Sequence, residues 1–382
     1  MKFISEIKKL LLLTALLSTN ALGGQYDFKD GSDLQYSGYI GYTQKFSNSQ
    51  ISNTFSGTEK PEIGFNVIYN RGNFQVFNQF RYGTTSGTAL VYNFAQYSFN
   101  ICEDGTFTIK GGKLRHELGL YNTSKINPKT RQGIIMPQGI YWDMFDEFAA
   151  SGAGVSAEFE YKGLKISYTI DDPTVVDSKK LARTYAFGLL NNAQTSFGSH
   201  RIAAFTYSPY NYPLTIKGSW AQLNLGNDVS AFGAEIRKDL GIVNFTSEMA
   251  TLGVEYKFDK LTISGEALYN LSLDQRWVRD FTKLSHGFSF TGIYEINDNL
   301  NLRFNYNQYN SALAAKVYKA TPWMAYQKDF NVGLNYHTGP WMFQVEGHSI
   351  SGGRVIDPKD VNGNLNAYKD WFIIGAQVVY SF

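Results

Sequence analysis

The sequence predicts an all-β protein, a transmembrane antiparallel β-barrel of about sixteen strands. First, apolar and polar residues alternate in many segments along the chain. Second, the C-terminal segment 367–382 alternates in the same way and ends on Tyr380 and Phe382. Third, the most apolar run, residues 10–17, is shorter than the roughly 18 apolar residues that a transmembrane helix needs. A chain with these properties crosses a membrane, if at all, as strands.

The C-terminal segment has the features of a strand that closes a barrel. Every second residue from Phe372 to Phe382 is apolar, which gives this strand one apolar face. An unpaired aromatic edge would recruit other strands, whereas a closed barrel pairs its last strand with its first. The pattern resembles the closing strand of bacterial outer-membrane barrels. The resemblance implies that the barrel-assembly machinery is a partner and that it recognises Phe382.

The N-terminus predicts export from the cytoplasm. Lys2, Lys8 and Lys9 precede the apolar run 10–17, and Ala21 completes a small-x-small cleavage pattern. We therefore assign residues 1–21 to a signal peptide, with cleavage at Gly23 or Gly24 as alternatives, and residues 22–382 to one barrel domain. The chain contains 35 basic and 33 acidic residues. Removal of the signal, with three lysines and one glutamate, leaves a neutral chain, which argues against a nucleic-acid partner.

Sixteen alternating segments account for the mature chain, and each is long enough to cross a bilayer as a tilted strand. Short turns follow the even-numbered segments and longer polar connections follow most of the odd-numbered ones, as in outer-membrane barrels. Two further hairpin candidates, 229–236 with 242–247 and the stretch 184–190, are assigned to loops, although the first would give eighteen strands. The segments are 34–46, 62–71, 73–83, 89–101, 105–115, 151–161, 163–171, 200–208, 212–224, 247–258, 261–273, 285–296, 299–309, 327–337, 340–350 and 367–382.

The polar faces of these segments carry charged side chains. In a soluble β-sandwich this face would be the surface, but in a barrel it faces the lumen, because a charge in mid-membrane hydrocarbon costs roughly 2–4 kcal/mol. A sixteen-stranded barrel is too wide for side chains alone to fill, so a polar interior predicts an aqueous channel. The predicted lumen-wall residues are Arg81, Lys217, Glu266, Arg303 and Glu346.

The connection 116–150, called the long loop below, is too apolar for a surface loop. It is the third connection on the long-connection side and contains many Leu, Ile, Met and aromatic residues, which must be buried somewhere. Residues 112–115, Gly-Lys-Leu-Arg, with 118–122 and 137–141, resemble the strand and third loop of porins in the phosphate-selective O and P superfamily. The resemblance covers about 105–161. It implies a sixteen-stranded, trimeric, passive channel whose third loop folds into the lumen.

Charges around the long loop predict a pore constriction. The resemblance implies that Lys113 and Arg115 are the basic positions at the foot of the loop. Arg131 adds a basic charge within the loop, and we expect these groups to face the acidic loop residues. The sequence lacks a run of lumen arginines, so phosphate selectivity does not transfer, and the short connection 84–88 leaves trimerisation to wall packing. The acidic residues are Asp143, Asp146 and Glu147.

The sequence therefore predicts a Gram-negative outer-membrane porin for passive diffusion of small hydrophilic solutes and ions. Alternatives are a porin specific for anions such as phosphate or for oligosaccharides, and a barrel enzyme or adhesin. Five scattered histidines and a single cysteine, Cys102, give no catalytic, disulfide or metal-ligand spacing. We expect no cofactor, no metal and no enzymatic activity. The expected partners are outer-membrane lipid, the assembly machinery and two further copies in a homotrimer.

Overall fold

The computed structural model contains one antiparallel sheet that closes into a barrel. It describes residues 23–47, 57–58, 61–83, 87–124, 127–141, 151–173, 194–228, 244–273, 285–312, 315, 319, 322–353 and 369–382. Within these residues sixteen long strands follow one another: β1 (Asp33–Ser47), β2 (Glu62–Arg71), β3 (Phe74–Gly83), β4 (Gly87–Cys102), β5 (Gly105–Arg115), β6 (Ser151–Tyr161), β7 (Leu164–Pro173), β8 (Gln194–Tyr207), β9 (Leu214–Asp228), β10 (Asn244–Lys257), β11 (Leu261–Leu273), β12 (Ser285–Asn297), β13 (Leu300–Ser311), β14 (Tyr326–Thr338), β15 (Trp341–Gly352) and β16 (Asp370–Ser381).

Each strand pairs with its neighbours in the chain, and β16 pairs with β1 to close the barrel. The closing register runs from Ile373 opposite Ser47 to Ser381 opposite Tyr39. Beyond it, the Phe382 amide donates to the Gly38 carbonyl over 3.0 Å, and the Gly38 amide donates back over 2.9 Å. The predicted sixteen-strand barrel is confirmed, including the pairing of its last strand with its first.

The two extra hairpin candidates add no strands to the described wall. Strand β9 pairs directly with β10, and β7 pairs directly with β8. Residues 174–193 and 229–243 lie outside the described residues, and residues 244–247 of the first candidate begin β10. Two short strands accompany β1: Gly24–Asp27 and Gly57–Thr58. Among the described residues, no helix is long and apolar enough to cross a membrane.

Short turns follow the even-numbered strands, as the sequence predicts. The turn after β6 contains Lys162 at φ 47° and Gly163 at φ 81°, and those after β2 and β14 contain Gly72 at φ 56° and Gly339 at φ 54°. Positive φ at these positions suits the twist of a tight hairpin, and glycine adopts it without a Cβ penalty. Phe382 lies at this end of the barrel, since its amide pairs with the start of β1.

The outer face of the barrel is apolar and exposed, and the inner face is polar and buried. On β14, Phe330, Val332 and Leu334 are exposed, while the alternating Asp329 and Asn331 are buried. This is the inverse of a soluble sandwich, and it matches a wall between hydrocarbon and a polar interior. Aromatic pairs lie near the short-turn end, as in the interfacial girdles of membrane barrels: Tyr256 with Phe258, Trp341 with Tyr380, and Tyr380 with Phe382.

The close packing of Phe382 against Gly38 allows a steric test of barrel closure. A Cβ at Gly38 would lie 2.5 Å from Cζ of Phe382 and 2.7 Å from the Gly64 carbonyl oxygen. We therefore expect Gly38→Val to displace the terminal strand and to lower the yield of folded barrel severalfold. The measurement is the fraction of protein that shows heat-modifiable mobility in denaturing electrophoresis after refolding into detergent.

Gly265→Val is the matched control, because a Cβ at Gly265 meets nothing within 4 Å. Valine also favours strand structure. Equal folded yields for Gly38→Val and Gly265→Val would show that contact between Phe382 and Gly38 does not limit closure.

Candidate functional site

The described part of the long loop lies against the inner face of the barrel. Leu118, Ile140 and Tyr141 are at most 1% exposed. Its backbone amides and side chains hydrogen-bond to wall residues more than 100 positions later in the chain. These contacts explain why the loop is apolar, since it packs inside the protein and not on its surface. Residues 142–150 lie outside the described residues.

The first wall contact is an ion-pair group around Glu117. Its carboxylate lies 2.7 Å from Nζ of Lys217 on β9 and 3.3 Å from Nζ of Lys165 on β7. Burial alone would raise the pKa of the Glu117 carboxyl, but the two lysines outweigh it and hold that pKa at about 2. Glu117 is therefore ionised across the physiological pH range. Lys217, predicted as a wall residue, binds the loop.

The second wall contact is centred on Glu266 of β11. Its carboxylate accepts hydrogen bonds from the Leu120 amide at 2.8 Å and from the Tyr141 hydroxyl at 2.8 Å. Tyr141 also accepts a hydrogen bond from the Tyr121 amide at 2.7 Å. Gly119 has φ 65°, and a Cβ there would lie 2.4 Å from the Glu266 carboxylate, so glycine is required. Burial beside Glu266 raises the pKa of Tyr141 well above its usual value, which keeps it a hydrogen-bond donor.

The third wall contact is centred on Glu346 of β15. Its carboxylate accepts the amides of Ile134 at 3.0 Å and Ile135 at 2.7 Å. Arg303 of β13, 1% exposed, pairs with the same carboxylate and also donates to the Gln132 carbonyl. A buried charge is tolerated only where it is paired and hydrogen-bonded. Glu346 meets this condition with donors from both loop and wall.

Apolar and amide contacts surround the Glu346 group. Ile134 and Ile135 form a buried cluster with Trp371, Ile373 and a fifth residue, Ile350. Farther along the loop, the Gly139 amide donates to the Asn307 side chain at 2.9 Å. Asn307 belongs to a network of buried amides on β13 and β14 that includes Asn305 and Asn331. The loop is thus fixed to the wall from β7 round to β16.

Strands β3 and β5 and the long loop carry three arginines, Arg81, Arg115 and Arg131, which we call the arginine cluster. Arg81 of β3 lies 3.1 Å from the Glu62 carboxylate, and Arg131 of the loop lies 3.9 Å from it. Arg115 donates to the Thr123 carbonyl at 2.6 Å and to Gln79 at 3.2 Å. The Arg115 guanidinium also lies over the Tyr92 ring, 4.3 Å from its centroid.

Of the remaining predicted constriction residues, only Lys113 lies within the described part of the chain. Lys113 is paired in register with Asn93, whose side chain donates to Asn78, and with Ala153. It lies on the strand face of Ile109, which is 48% exposed. The register therefore favours an outward-facing position in the barrel wall for Lys113. The acidic residues Asp143, Asp146 and Glu147 lie outside the described residues.

The structure also brings together three residues that sequence spacing did not connect. His116, the first residue of the long loop, meets Asp171 of β7 and His200 of β8. All three side chains are fully buried. The three positions come from separate segments, so no local motif relates them. The alternation of β7 and β8 places Asp171 and His200 on one face, but only the path of the loop adds His116.

Polar cavities lie between the long loop and the wall. One of about 390 Å³ is lined by residues that include Glu117, Tyr121, Lys165 and Glu255. A second, of about 270 Å³, includes Lys110, Arg115 and Glu158 in its lining. Glu117 and Thr123 line both cavities. The interior is therefore incompletely filled by side chains, as expected for a barrel of sixteen strands.

The barrel matches solved structures of outer-membrane porins. An anion-selective porin from Comamonas acidovorans aligns with a TM-score of 0.60 and 12% identity, over 92% of this chain and 100% of that chain. OmpF of Salmonella typhi, in complex with daunomycin, gives a TM-score of 0.60 and 11% identity over 94% and 100% of the two chains. Outer-membrane expressed OmpT of Vibrio cholerae gives 0.58 and 11% over 93% and 99%. This chain has the fold of these proteins.

The likeness is structural only. No protein-family model matches the chain. No curated protein matches it either. At 11–12% identity the shared property is the sixteen-strand architecture, and the wall contacts described above belong to this chain's own residues.

The contacts of Glu346 predict a large loss of stability when its carboxylate is removed. Glu346→Ala leaves the buried Arg303 guanidinium and two loop amides without their acceptor. Breaking a buried ion pair costs about 3–5 kcal/mol. We expect a decrease of this size in the free energy of unfolding, measured by denaturant titration with tryptophan fluorescence on lipid-embedded protein.

Glu295→Ala is the control, because Glu295 pairs with Lys257 over 3.0 Å on the surface, with side chains 41% and 56% exposed. Exposed pairs contribute about 0–1 kcal/mol. The proposed role of Glu346 would be wrong if both variants changed stability by the same small amount.

The depressed pKa of Glu117 predicts a pH-dependent contribution to stability. Its pKa of about 2 lies below the usual 4.5, so the ionised form favours the folded state. This contribution is fully present above about pH 4.5 and is lost as the pH falls towards 2. We expect the stability difference between the native protein and Glu117→Gln to be constant from about pH 7 to 5 and to shrink towards pH 3, measured by denaturant titration at each pH.

The difference in stability between the native protein and Glu295→Gln should stay small over the whole pH range, since the Glu295 carboxylate is exposed. A gap between native protein and Glu117→Gln that stays unchanged down to about pH 2 would contradict the assigned ion pairs.

Proposed function

We propose that this chain is a passive channel of the bacterial outer membrane, for small hydrophilic solutes and ions. The observation that carries the proposal is the inversion of the sheet faces, with exposed apolar side chains outside and buried charged and amide side chains inside. A closed barrel of sixteen strands with such an interior holds water. The polar cavities beside the long loop support a hydrated path through it.

We infer that the constriction lies between the long loop and the wall formed by β1–β6. Most other wall contacts of the loop use β7–β16, and a cavity lined by Lys110, Arg115 and Glu158 lies on the arginine-bearing side of the loop. Arg81 and Arg131 share one carboxylate, and Arg115 is held by neutral acceptors and aromatic rings. This side therefore carries excess positive charge among the described residues. Asp143, Asp146 and Glu147 are proposed to face it from residues 142–150.

This charge distribution favours a weak preference for anions. A positive lining at a narrow, partly desolvated passage raises the local concentration of anions and repels cations. The porin from Comamonas acidovorans is described as anion-selective, which makes the proposal reasonable for this fold. A second candidate is a porin specific for one anion, as in the phosphate-selective O and P superfamily that the loop sequence resembles. The arginine cluster is the observation that favours it.

Export, assembly and association complete the proposal. Residues 1–21 are proposed to be removed on export, and Phe382 is proposed to be recognised by the barrel-assembly machinery. A homotrimer is proposed, as in the trimer form of OmpT of Vibrio cholerae. Asn78 and Asn93 support it, because this hydrogen-bonded pair lies on the outer face among the exposed Phe80 and Tyr97. Polar groups at such positions are better accommodated against protein than against lipid.

An enzymatic barrel has less support. The adjacent residues His348 and Ser349 lie on different faces, with His348 buried inside and Ser349 exposed outside. His348 contacts Asp329 and Glu346, both at 3.0 Å, and so belongs to the loop-holding network. A nucleophile and its base must lie within hydrogen-bonding reach of each other.

Planar-bilayer recording tests the channel proposal. The purified protein should insert as conducting units whose conductance rises with salt concentration. A folded protein that inserts without conducting would overturn the proposal and favour an enzymatic or adhesive barrel. Low conductance that is blocked by one anion would select the solute-specific candidate.

The arginine cluster predicts a change in ion selectivity. We expect the double variant Arg115→Gln and Arg131→Gln to lower the anion-to-cation permeability ratio at least about twofold, because two positive charges leave the passage. Glutamine keeps hydrogen-bonding groups at both positions. The measurement is the reversal potential in a salt gradient.

Arg71→Gln is the matched control, since Arg71 ends β2 beside a short turn, and its side chain is 64% exposed and lies 3.8 Å from Asp30. It should leave the reversal potential unchanged. If the double variant also leaves it unchanged, the arginines do not line the narrow part of the channel.

A further inference from the structure

Three side chains with metal-binding chemistry converge where the long loop leaves the wall. The donor atoms of His116, Asp171 and His200 all lie within 4.8 Å of one another. Nε2 of His116 contacts Oδ2 of Asp171, and Nδ1 of His200 lies 3.3 Å from Oδ1 of the same carboxylate. The two imidazole rings are T-shaped, with centroids 5.5 Å apart. The carboxylate thus lies between two nitrogen donors.

Strand register and two glycines build this arrangement. Asp171 and His200 are directly opposite each other in the β7–β8 pair. On the other side of β7, Gly152 and Gly154 of β6 leave the space that the carboxylate occupies. A Cβ at Gly152 would lie 2.3 Å from Cγ of Asp171, and one at Gly154 would lie 2.5 Å from its Cβ. His116 is fixed from the loop, since its carbonyl accepts the Asn122 side chain at 2.8 Å.

The Asp171 carboxylate retains capacity to bind a cation. Its side chain is fully buried, and among the described residues Oδ1 accepts no hydrogen bond despite its closeness to His200. A buried carboxylate oxygen without a donor is costly, and a metal ion is one group that would satisfy it.

We propose that His116, Asp171 and His200 bind one divalent transition-metal ion of the class of Zn²⁺, Co²⁺ and Cu²⁺. Two imidazoles and a carboxylate suit these ions, which bind such donors at about 2.0–2.2 Å. To bind one ion, the contact between His116 and Asp171 must lengthen, because donors at about 2.0–2.2 Å from one ion lie roughly 3 Å apart. The ion replaces the contact between His116 and Asp171, and three protein ligands leave one position for water.

The proposed ion has a structural role. One ion joins the first residue of the long loop to β7 and β8, beside the Glu117 pairs with Lys165 and Lys217. Metal binding stabilises the folded state over the unfolded one, because the ligands are far apart in the unfolded chain. The ion thus fixes the base of the loop and does not itself line the solute path.

The test is Co²⁺ and Cu²⁺ binding to the untagged, full-length protein, either added to the folded barrel or present during refolding. We expect one ion per chain. Bound Co²⁺ should show the visible absorption of a low-coordinate site, and bound Cu²⁺ should show hyperfine coupling to two nitrogens in its paramagnetic resonance spectrum. Asp171→Asn and His200→Gln should lower the affinity for each ion at least about tenfold.

His286→Gln is the matched control, because His286 lies on β12 and is hydrogen-bonded to Asn310 at 3.3 Å, outside the cluster. It should bind one ion as tightly as the native protein. Heat-modifiable mobility establishes that each variant is folded. The proposal is overturned if the native protein binds no ion under either condition, or if folded His200→Gln binds as tightly as the native protein. A spectrum without nitrogen coupling would also overturn it.

Discussion

The absence of water in hydrocarbon is the constraint on which this structure depends. Every backbone amide and carbonyl that crosses the membrane must find a partner within the protein, and a sheet achieves this only when its last strand meets its first. The reciprocal hydrogen bonds between Gly38 and Phe382 complete that ring. Once the ring is closed, alternation along each strand separates a lipid-facing surface from a polar interior.

The same requirement applies inside the barrel, where the long loop forms no strand. Its amides are satisfied by carboxylates and amides of the wall, with Glu266 accepting Leu120, Glu346 accepting Ile134 and Ile135, and Asn307 accepting Gly139. The wall therefore needs acidic side chains where the loop amides approach it. These buried carboxylates in turn need partners, which are cations such as Arg303 or hydroxyl donors such as Tyr141. Much of the interior charge thus holds the loop in place.

The fold could be predicted from the sequence because period-two alternation is local. The sixteen segments, the short turns after even-numbered strands and the closing role of the last strand all follow from residues near one another in the chain. The partners of the loop could not be predicted. Ile135 and Glu346, for example, are 211 positions apart, and no sequence motif marks either residue as a contact between loop and wall. The convergence of His116 with Asp171 and His200 was missed for the same reason. The resemblance of residues 112–115 grouped Lys113 with Arg115 at the foot of the loop, and strand register puts Lys113 opposite Asn93.

The circumference of the barrel is divided unequally by the long loop. Strands β7–β16 supply most of the groups that hold it, whereas β2, β3 and β5 supply Glu62, Arg81 and Arg115. An aperture left by such a loop is eccentric and borders one sector of the wall. Under the proposed channel function, substitutions in that sector would alter which solutes pass and would remove fewer loop contacts than substitutions in the remaining sector. Under the same proposal, solute selectivity and the anchoring of the loop therefore use largely separate sectors of the wall.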